Sequence, residues 1–476
     1  MAELEEACGL FGIFGDEDAA HLVALGIFAL QHRGEESAGI VVRRGKDLVA
    51  KHGLGLVSDV FPASELNELT GDAAIGHCRY STAGGGGLHN TQPFMVRYAL
   101  GQIALAHNGT LVNGRTLRRR LEGTGSIFRS TSDTEVILHL IAQSKETEAV
   151  PRVIEAIRQI QGAFSLLLLT RNEMIGLRDP MGFRPLVIGK RQGRYLLASE
   201  TCALDTIEAE YVREVEPGEL VVINHEGLQS IRFAAPQERV APCVFEHIYF
   251  VRPDSFVFSR DVYAVRKALG RELAKLHPVE ADVVIPVPDS GVPAAIGYAE
   301  ESKIPFDMAL TRSHYVGRSF IQSAQEIRAQ SVRLKLATAG AALRGKRVVV
   351  VDDSLVRGTT SRKIVQLLRS AGAKEVHLRI SAPPTISPCY YGIDMPTKAE
   401  LLASHMSLEQ IREYCSVDSI GYVDIEALRR ASSYKQGKQC EACFTGDYPV
   451  VPTDLVEIGG HKPSEFNQTG FEEAYP

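Results

Sequence analysis

No stretch of the 476-residue sequence approaches the roughly 18 to 20 uninterrupted apolar residues that a membrane span requires. The opening MAELEEA is acidic and lacks both the positive segment and the apolar segment of a secretory signal, so the expected location is cytoplasmic. Excess positive charge is also missing. The 52 Lys and Arg stand against 58 Asp and Glu for a net charge of -6, which argues against a general affinity for nucleic acid. Eight cysteines are too few for a disulfide scaffold in so long a chain; in a reducing compartment they point to thiol chemistry, metal binding or catalysis. There is no low-complexity tract and no internal repeat at a period of roughly 20 to 50 residues.

What is present is an ordinary globular composition, 45% apolar and 23% charged, long enough for two large domains. From about residue 8 to 230, short apolar runs such as GIVV, AAIGHCRY, QIALAHNG and FSLLLLT read as strands, with amphipathic stretches near 19 to 32 and 132 to 143. From about 260 the pattern becomes helix, strand, helix: DVYAVRKALGRELAKL leads to ADVVIPVP, and KRVVVVDDS leads to another helical segment. That alternation predicts a buried parallel sheet. AAPQERVAPC, at 234 to 243, has the character of a connector, and the last 25 residues read as a surface tail.

The most specific motif is VVVVDDSLVRGTTS, residues 348 to 361. Four β-branched residues make a strand, two carboxylates end it, and a small-residue loop opens a helix whose free N–H groups suit an anion. Ser354, Arg357, Gly358, Thr359 and Thr360 can surround a phosphate, while Asp352 and Asp353 suit ribose hydroxyls and a divalent cation. The plain alternative is a strand-loop-helix in which Asp caps the helix. The segment resembles the signature of type I phosphoribosyltransferases. That resemblance implies that Asp352 and Asp353 meet the ribose hydroxyls of phosphoribosyl pyrophosphate and that Ser354 to Thr360 hold its 5-phosphate. IPVPDSGVPAAIGYA ends another strand with Asp289, Ser290 and Gly291, where the family places its pyrophosphate loop; Mg2+ is then expected on Ser290, Asp352 and Asp353. TRSHYVGRSFIQ looks like the family's closing loop, with Arg312, His314, Tyr315 and Arg318 as contacts.

Cys8, in CGLFGIFG, has seven residues ahead of it. Their removal would make its own α-amine, which ordinarily titrates at about 7.7 to 8.0, a base beside the thiol. A lone cysteine in a first strand is more often packing. Here QHRGEESAG, GHCRYSTAGGGG, AHNGTLVN and STSDTE follow, and the set resembles the N-terminal-nucleophile glutamine amidotransferase domain. The resemblance implies Cys8 as nucleophile, Arg79 on the glutamine α-carboxylate, Asp133 on its α-amine, and Asn108 with the Gly109 N–H as oxyanion hole. A zwitterionic substrate needs one cation and one anion, and the tetrahedral oxygen needs donors. Arg33 is read either as a residue at the glutamine-site entrance or as a helix-terminal arginine, and His77, Cys78 and His107 as packing or orienting groups.

The two halves together resemble the amidophosphoribosyltransferases, the enzymes that open purine synthesis, over some 440 residues. The implied architecture is α/β: a four-layer αββα N-terminal-nucleophile hydrolase sandwich followed by a type I phosphoribosyltransferase parallel α/β domain. The expected boundaries are a propeptide at 1–7, the glutaminase at 8–233, the phosphoribosyltransferase at 234–450 and a tail at 451–476. Cys440 and Cys443 form a C-x-x-C, with Cys243 and Cys389 at a distance; spacing alone leaves zinc, [4Fe-4S] or unligated thiols open. A subgroup with a propeptide and a [4Fe-4S] cluster carries cysteines in these contexts, which implies that cluster here, in a structural role. Purine nucleotides as inhibitors and a homotetramer are likewise implied. A noncatalytic regulator that binds phosphoribosyl pyrophosphate would be expected to carry a DNA-binding winged helix with a basic face, and none is evident; an iron-sulfur sensor would lack a reason to keep Cys8, Arg79, Asn108, Asp133, Asp352 and Asp353 together.

Overall fold

The structure, a computed structural model, describes residues 8–80, 87–235, 237, 239–312, 336–393, 395 and 397–454. The expected propeptide 1–7, the loop residues His314, Tyr315 and Arg318, and the tail from 455 lie outside the described residues.

The first half folds as two antiparallel sheets. One has seven strands in the order Glu210–Glu214, Val187–Arg191, Arg194–Ala198, Gly9–Phe14, Ala73–Arg79, Ser37–Arg44 and Asp47–Leu54. The other has six, in the order Gly227–Arg232, Glu219–Asn224, Met174–Arg178, Gly162–Thr170, Gly101–Leu111 and Phe94–Tyr98. Side chains alternate between two cores with the period of a strand. Leu10, Val41, Ile75, Ala104, Ala106, Leu167 and Leu169 meet in the layer between the sheets. Phe11, Ile13, Ile40, Val42 and Ala74 face helix Ala19–Ala29. Leu105, Leu166 and Leu168 face helix Thr134–Gln143 and its neighbours. Four layers, αββα, follow from that alternation. Antiparallel strands usually show one polar face, but here both faces are covered, so FSLLLLT is apolar throughout and every residue of Gly162–Thr170 is buried. Helix Ala19–Ala29 departs from the amphipathic expectation. Apart from the exposed His21 it is apolar, buried on most sides, with Leu25 and Phe28 also left exposed.

The second half is built on a parallel sheet in the order Val283–Pro286, Arg347–Asp352, Glu375–Ile380 and Ser419–Tyr422. Val348 to Val351 are fully buried at its centre, covered by helices Val262–Leu276, Val292–Ser302 and Thr359–Ser370. Parallel strands need covered faces, and the C-terminal end of the central strand, where Asp352 lies, is where such sheets bind ligands.

The halves share a small core of Val112, Ala163, Phe183, Ala241, Tyr391, Cys440 and Ala442. The end of the connector is pinned rather than loose: Ala241 N–H donates to Met181 O at 2.7 Å and Cys243 N–H to Phe183 O at 3.1 Å. The tail expectation is corrected at its start. Pro452 and Asp454 are buried and the segment hydrogen-bonds the first half, with Asp454 N–H donating to Val112 O at 3.0 Å.

Candidate active site

Gly9 pairs with Cys78 across adjacent strands, which sets Cys8 beside Arg79 at the sheet's end. The Cys8 thiol is buried and 3.9 Å from Tyr80 O. Burial pushes its pKa up; Arg79 opposes that and Asp133 adds to it, so both charged groups act on the sulfur. Arg79 is buried with Nη1 3.7 Å from Glu36. Asp133, just ahead of helix Thr134–Gln143, accepts from Leu111 N–H at 2.8 Å.

Asn108 is the most informative residue of the site. Its side chain is fully buried, and neither Nδ2 nor Oδ1 has a hydrogen-bond partner. Buried amides are nearly always paired, so an orphan at this position calls for a ligand group. Gly109 follows with φ +139°, and a Cβ there would sit 2.1 Å from Ala163 O, so this strand position admits only glycine. His77 and His107 sit behind them. His77 Nε2 meets His107 O at 3.2 Å, His107 Nδ1 meets Thr134 Oγ1 at 3.1 Å, and burial drives His77 down to about 3, keeping it neutral. Cys78 is buried with Sγ 3.2 Å from Leu30 O.

In the second half, Asp352 and Asp353 are both buried, and burial pushes both carboxyls up, with Asp353's charge adding to the effect at Asp352. Ser290 donates to Asp353 Oδ2, and Ser354 Oγ donates to Oδ1 at 2.5 Å. Gly358, at φ +67°, leads into helix Thr359–Ser370; it has no side chain to cap the helix, which removes the reading of an aspartate cap. Thr359 and Thr360 are that helix's first residues. Arg357 is turned outward onto Glu400 at 3.1 Å, and Asp289 is exposed and 3.4 Å from Arg312. Beneath the pair, Arg266 is buried, pushed down to about 10, and donates to the carbonyls of His247, Tyr249 and Val251 at 2.7–2.8 Å; its charge bears on Asp353.

Four thiols gather at the junction of the halves. Cys440 N–H donates to Pro242 O at 2.9 Å and Val244 N–H to Cys440 O at 3.3 Å, laying Cys243 alongside Cys440. Ile386 and Ser387 N–H donate to Cys443 O at 2.9 and 3.1 Å, drawing in the segment that carries Cys389. Burial raises the Cys243, Cys440 and Cys443 thiols, and each also feels the charge of Cys389. None is in a disulfide. Among the described residues, no three His, Cys, Asp or Glu side chains converge closely enough to hold one metal ion.

Arg33 ends the short helix Gln31–Arg33, as its helix-terminal reading had it, but it is fully buried there between Glu200 and Glu246, with Nη2 2.7 Å from Glu246 Oε2. Arg184 Nη1 binds the other Glu246 oxygen at 2.8 Å, and its Nη2 donates to Tyr391 O at 2.9 Å. The signal in the sequence is Glu246 interrupting the apolar run CVFEHIYF, and Arg184 within GFRPLVIG. Tyr391 is followed by Gly392, whose position lies against Gly109: a Cβ on Gly392 would be 3.0 Å from Gly109 Cα.

Known proteins share this arrangement. A family profile described as a glutamine amidotransferase domain matches residues 77–206, and one described as a phosphoribosyl transferase domain matches residues 262–383. The chain is 53% identical to a chloroplastic amidophosphoribosyltransferase of Glycine max over 94% of its own length and 79% of the relative's. It is 49% identical to the Bacillus subtilis amidophosphoribosyltransferase over 94% and 95% of the two chains. A solved structure of the B. subtilis glutamine phosphoribosylpyrophosphate amidotransferase complexed with ADP and GMP superposes with TM-score 0.89 at 48% identity, covering 94% and 98% of the two chains. A structure described as the allosteric regulatory enzyme of purine biosynthesis does so with TM-score 0.89 at 48% identity, over 93% and 96%. With both catalytic halves, their order and their joint fold in common over nearly its whole length, this chain belongs to the amidophosphoribosyltransferases, glutamine-dependent enzymes of purine biosynthesis.

Proposed function

We propose the following assignment of residues to the reaction, in which glutamine, phosphoribosyl pyrophosphate and water give 5-phosphoribosylamine, glutamate and pyrophosphate. Arg79 binds the glutamine α-carboxylate and Asp133 its α-amine, which sets the side-chain amide at Cys8. The orphaned Asn108 amide carries this reading: a fully buried side chain without a partner, on the strand whose Leu111 N–H holds Asp133, is what an oxyanion hole needs before substrate arrives. The Cys8 sulfur attacks the amide carbon, and its proton passes through the α-amine of a chain beginning at Cys8 to the departing nitrogen. A raised thiol pKa makes that base necessary. Water then hydrolyses the thioester to glutamate, restoring the thiol.

Ammonia's lone pair next attacks C1 of phosphoribosyl pyrophosphate as pyrophosphate leaves. Asp352 and Asp353 hold the ribose hydroxyls, Ser354, Arg357, Gly358, Thr359 and Thr360 hold the 5-phosphate, and Asp289 with Ser290 lies beside the pyrophosphate. Arg357 would leave Glu400 to do so. Two buried carboxylates whose pKa values burial raises, with the Ser290 hydroxyl bonded to Asp353, form an oxygen donor set that suits Mg2+. Bound on Ser290, Asp352 and Asp353, that ion would neutralise the leaving pyrophosphate.

Cys243, Cys389, Cys440 and Cys443 fit a [4Fe-4S] cluster. Each thiolate of such a cluster binds its own iron, so the four need not converge on one centre as a zinc site with Zn–S of about 2.3 Å would demand. Its contribution would be to tie three segments together, since no step of the reaction moves electrons. The uncross-linked thiols also favour a reducing, cytoplasmic setting; no helix among the described residues is long and apolar enough to cross a membrane. Purine nucleotides, as ligands of the phosphoribosyl site, and a homotetramer complete the proposal.

The test is Cys8→Ala in the full chain. Glutamine-dependent synthesis should vanish while synthesis from ammonium chloride persists; loss of both, or of neither, overturns the assignment. Iron and sulfide analysis of anaerobically purified protein, and sedimentation, test the cluster and the subunit count.

A further inference from the structure

We propose that Asp454, at the end of the described chain, is a positioning residue for the glutaminase site. It completes from a distance the helix that buttresses Asp133; this rests on the role given to Asp133 above.

Helix Gly114–Gly123 follows the strand that carries Asn108 and Gly109. Its sequence GRTLRRRLEG has no acidic residue in the first turn, and its N-cap residue, Asn113, makes no capping bond. The Asn113 side chain is engaged elsewhere: Nδ2 donates to Gln159 O and Oδ1 accepts from Gln161 N–H, both at 2.9 Å. The first amides of a helix need acceptors, and its positive end favours a negative charge. Asp454 meets both needs. Its Oδ2 accepts from Arg115 N–H at 2.8 Å; its Oδ1 accepts from Thr116 N–H at 3.0 Å and from Thr116 Oγ1 at 2.7 Å. Thr453 Oγ1 and Asp454 N–H both donate to Val112 O, at 3.2 and 3.0 Å.

The capped turn bears on the glutamine site at two points. Gly114 is so close to Asp133 that a Cβ there would lie 3.2 Å from Asp133 Cβ, and Leu111 N–H donates to Asp133 Oδ2 at 2.8 Å. A fraying of this helix start shifts the residue that selects the α-amine. The strap that brings Asp454 into place belongs to the other half. It runs from Cys440 and Cys443 past Tyr448, whose hydroxyl donates to Pro388 O at 2.7 Å, and past Val450, whose carbonyl accepts from Tyr391 Oη at 2.6 Å. Order in the thiol junction is thereby transmitted to glutamine binding.

The experiment compares Asp454→Ala, Asp454→Asn and Thr116→Val in the full chain. Steady-state synthesis is measured with glutamine and with ammonium chloride at saturating phosphoribosyl pyrophosphate. Asp454→Ala should raise the KM for glutamine about five-fold, as the loss of a helix cap implies, with the ammonia-dependent rate unchanged. An Asn amide keeps one acceptor oxygen but sets an NH2 against the second donor, so Asp454→Asn should give a KM between those of the wild type and Asp454→Ala. Thr116→Val, which removes one of three donors, should give a smaller rise of about two-fold. An unchanged glutamine KM in both Asp454→Ala and Thr116→Val, a parallel loss of both activities, or equal damage in Asp454→Asn and Asp454→Ala overturns the proposal. A wild-type enzyme that used ammonia but never glutamine would instead overturn the glutaminase assignment.

Discussion

At the scale of single residues, the site is defined as much by what is left unpaired as by what is charged. Asn108 is buried without a hydrogen-bond partner, so in the proposed assignment its amide would meet the tetrahedral oxygen without first breaking another bond. Asn108→Ala should therefore lower the glutamine-dependent kcat by about 100- to 1,000-fold, with glutamine KM little altered; a fall in affinity alone would assign it to substrate binding instead. Glu135 shows the opposite strategy. Burial would raise its carboxyl, but bonds to His139 and Ser130 and to the Arg129 and Ser130 N–H groups hold it at about 2. It clamps the loop that delivers Asp133. A carboxyl depressed in the folded state contributes stability above its ordinary range near 4.5, and that contribution is lost as pH falls from there toward 2. Acid unfolding monitored by circular dichroism should thus show a steeper loss of stability between these values in the native chain than in Glu135→Gln. Asn108 and Asp133 were legible in the sequence because AHNGTLVN and STSDTE, following Cys8, resemble the glutamine amidotransferase domain; the clamp at Glu135 was not. The orphaned state of Asn108 was not, since it depends on what the neighbouring strand fails to offer.

At the scale of elements, alternation and its absence carried most of the fold. The run VVVVDDS gave its strand and its end directly, because a central parallel strand is buried on both faces and stops where carboxylates reach solvent or ligand. FSLLLLT gave a strand but not its antiparallel pairing, because the helices on the outer face erase the polar alternation that would have marked it. The loop after Asp353 was legible down to Gly358. There a left-handed backbone is combined with close approach: a Cβ would lie 2.4 Å from Leu402 Cδ1 and 3.0 Å from Tyr414 Cε1. Gly358→Ala should raise the KM for phosphoribosyl pyrophosphate on the order of ten-fold, since the left-handed conformation costs about 1 to 2 kcal/mol for a residue with a side chain. Steady-state kinetics with ammonia as nitrogen source isolates that effect, and an unchanged KM would show that the loop tolerates another path. What no element-level pattern disclosed is the strap after Cys443, whose final residues find their partners, Val112 to Thr116, hundreds of residues away.

At the scale of the whole molecule, the two halves are joined by buried charge rather than by apolar surface alone. Glu246 stands between Arg33 and Arg184, and Glu200 receives Arg33, His32 at 2.7 Å and Ser255 Oγ at 3.0 Å, with Arg33, Arg184, Glu200 and Glu246 all at zero exposure. Burial would raise both carboxyls, but the surrounding cations hold Glu200 and Glu246 below the usual range. Their contribution is therefore present above the ordinary carboxylate range and withdrawn in acid. Such a network adds little over an apolar contact of the same shape, yet removing one member strands the others without solvent. Glu246→Ala leaves Arg184 with no carboxylate and Arg33 with Glu200 alone at the junction, for an expected loss of about 3 to 5 kcal/mol. Because Arg184 also holds the Tyr391 carbonyl, and Gly392 then rests on Gly109, the damage should reach glutamine turnover as well as stability. Differential scanning calorimetry of the native chain should show the halves melting together, and Glu246→Ala should lower that transition or divide it in two. A variant that melts once, at the native temperature, with native glutamine kinetics would mean that the shared apolar core of Val112, Phe183 and Tyr391 couples the halves without the charges.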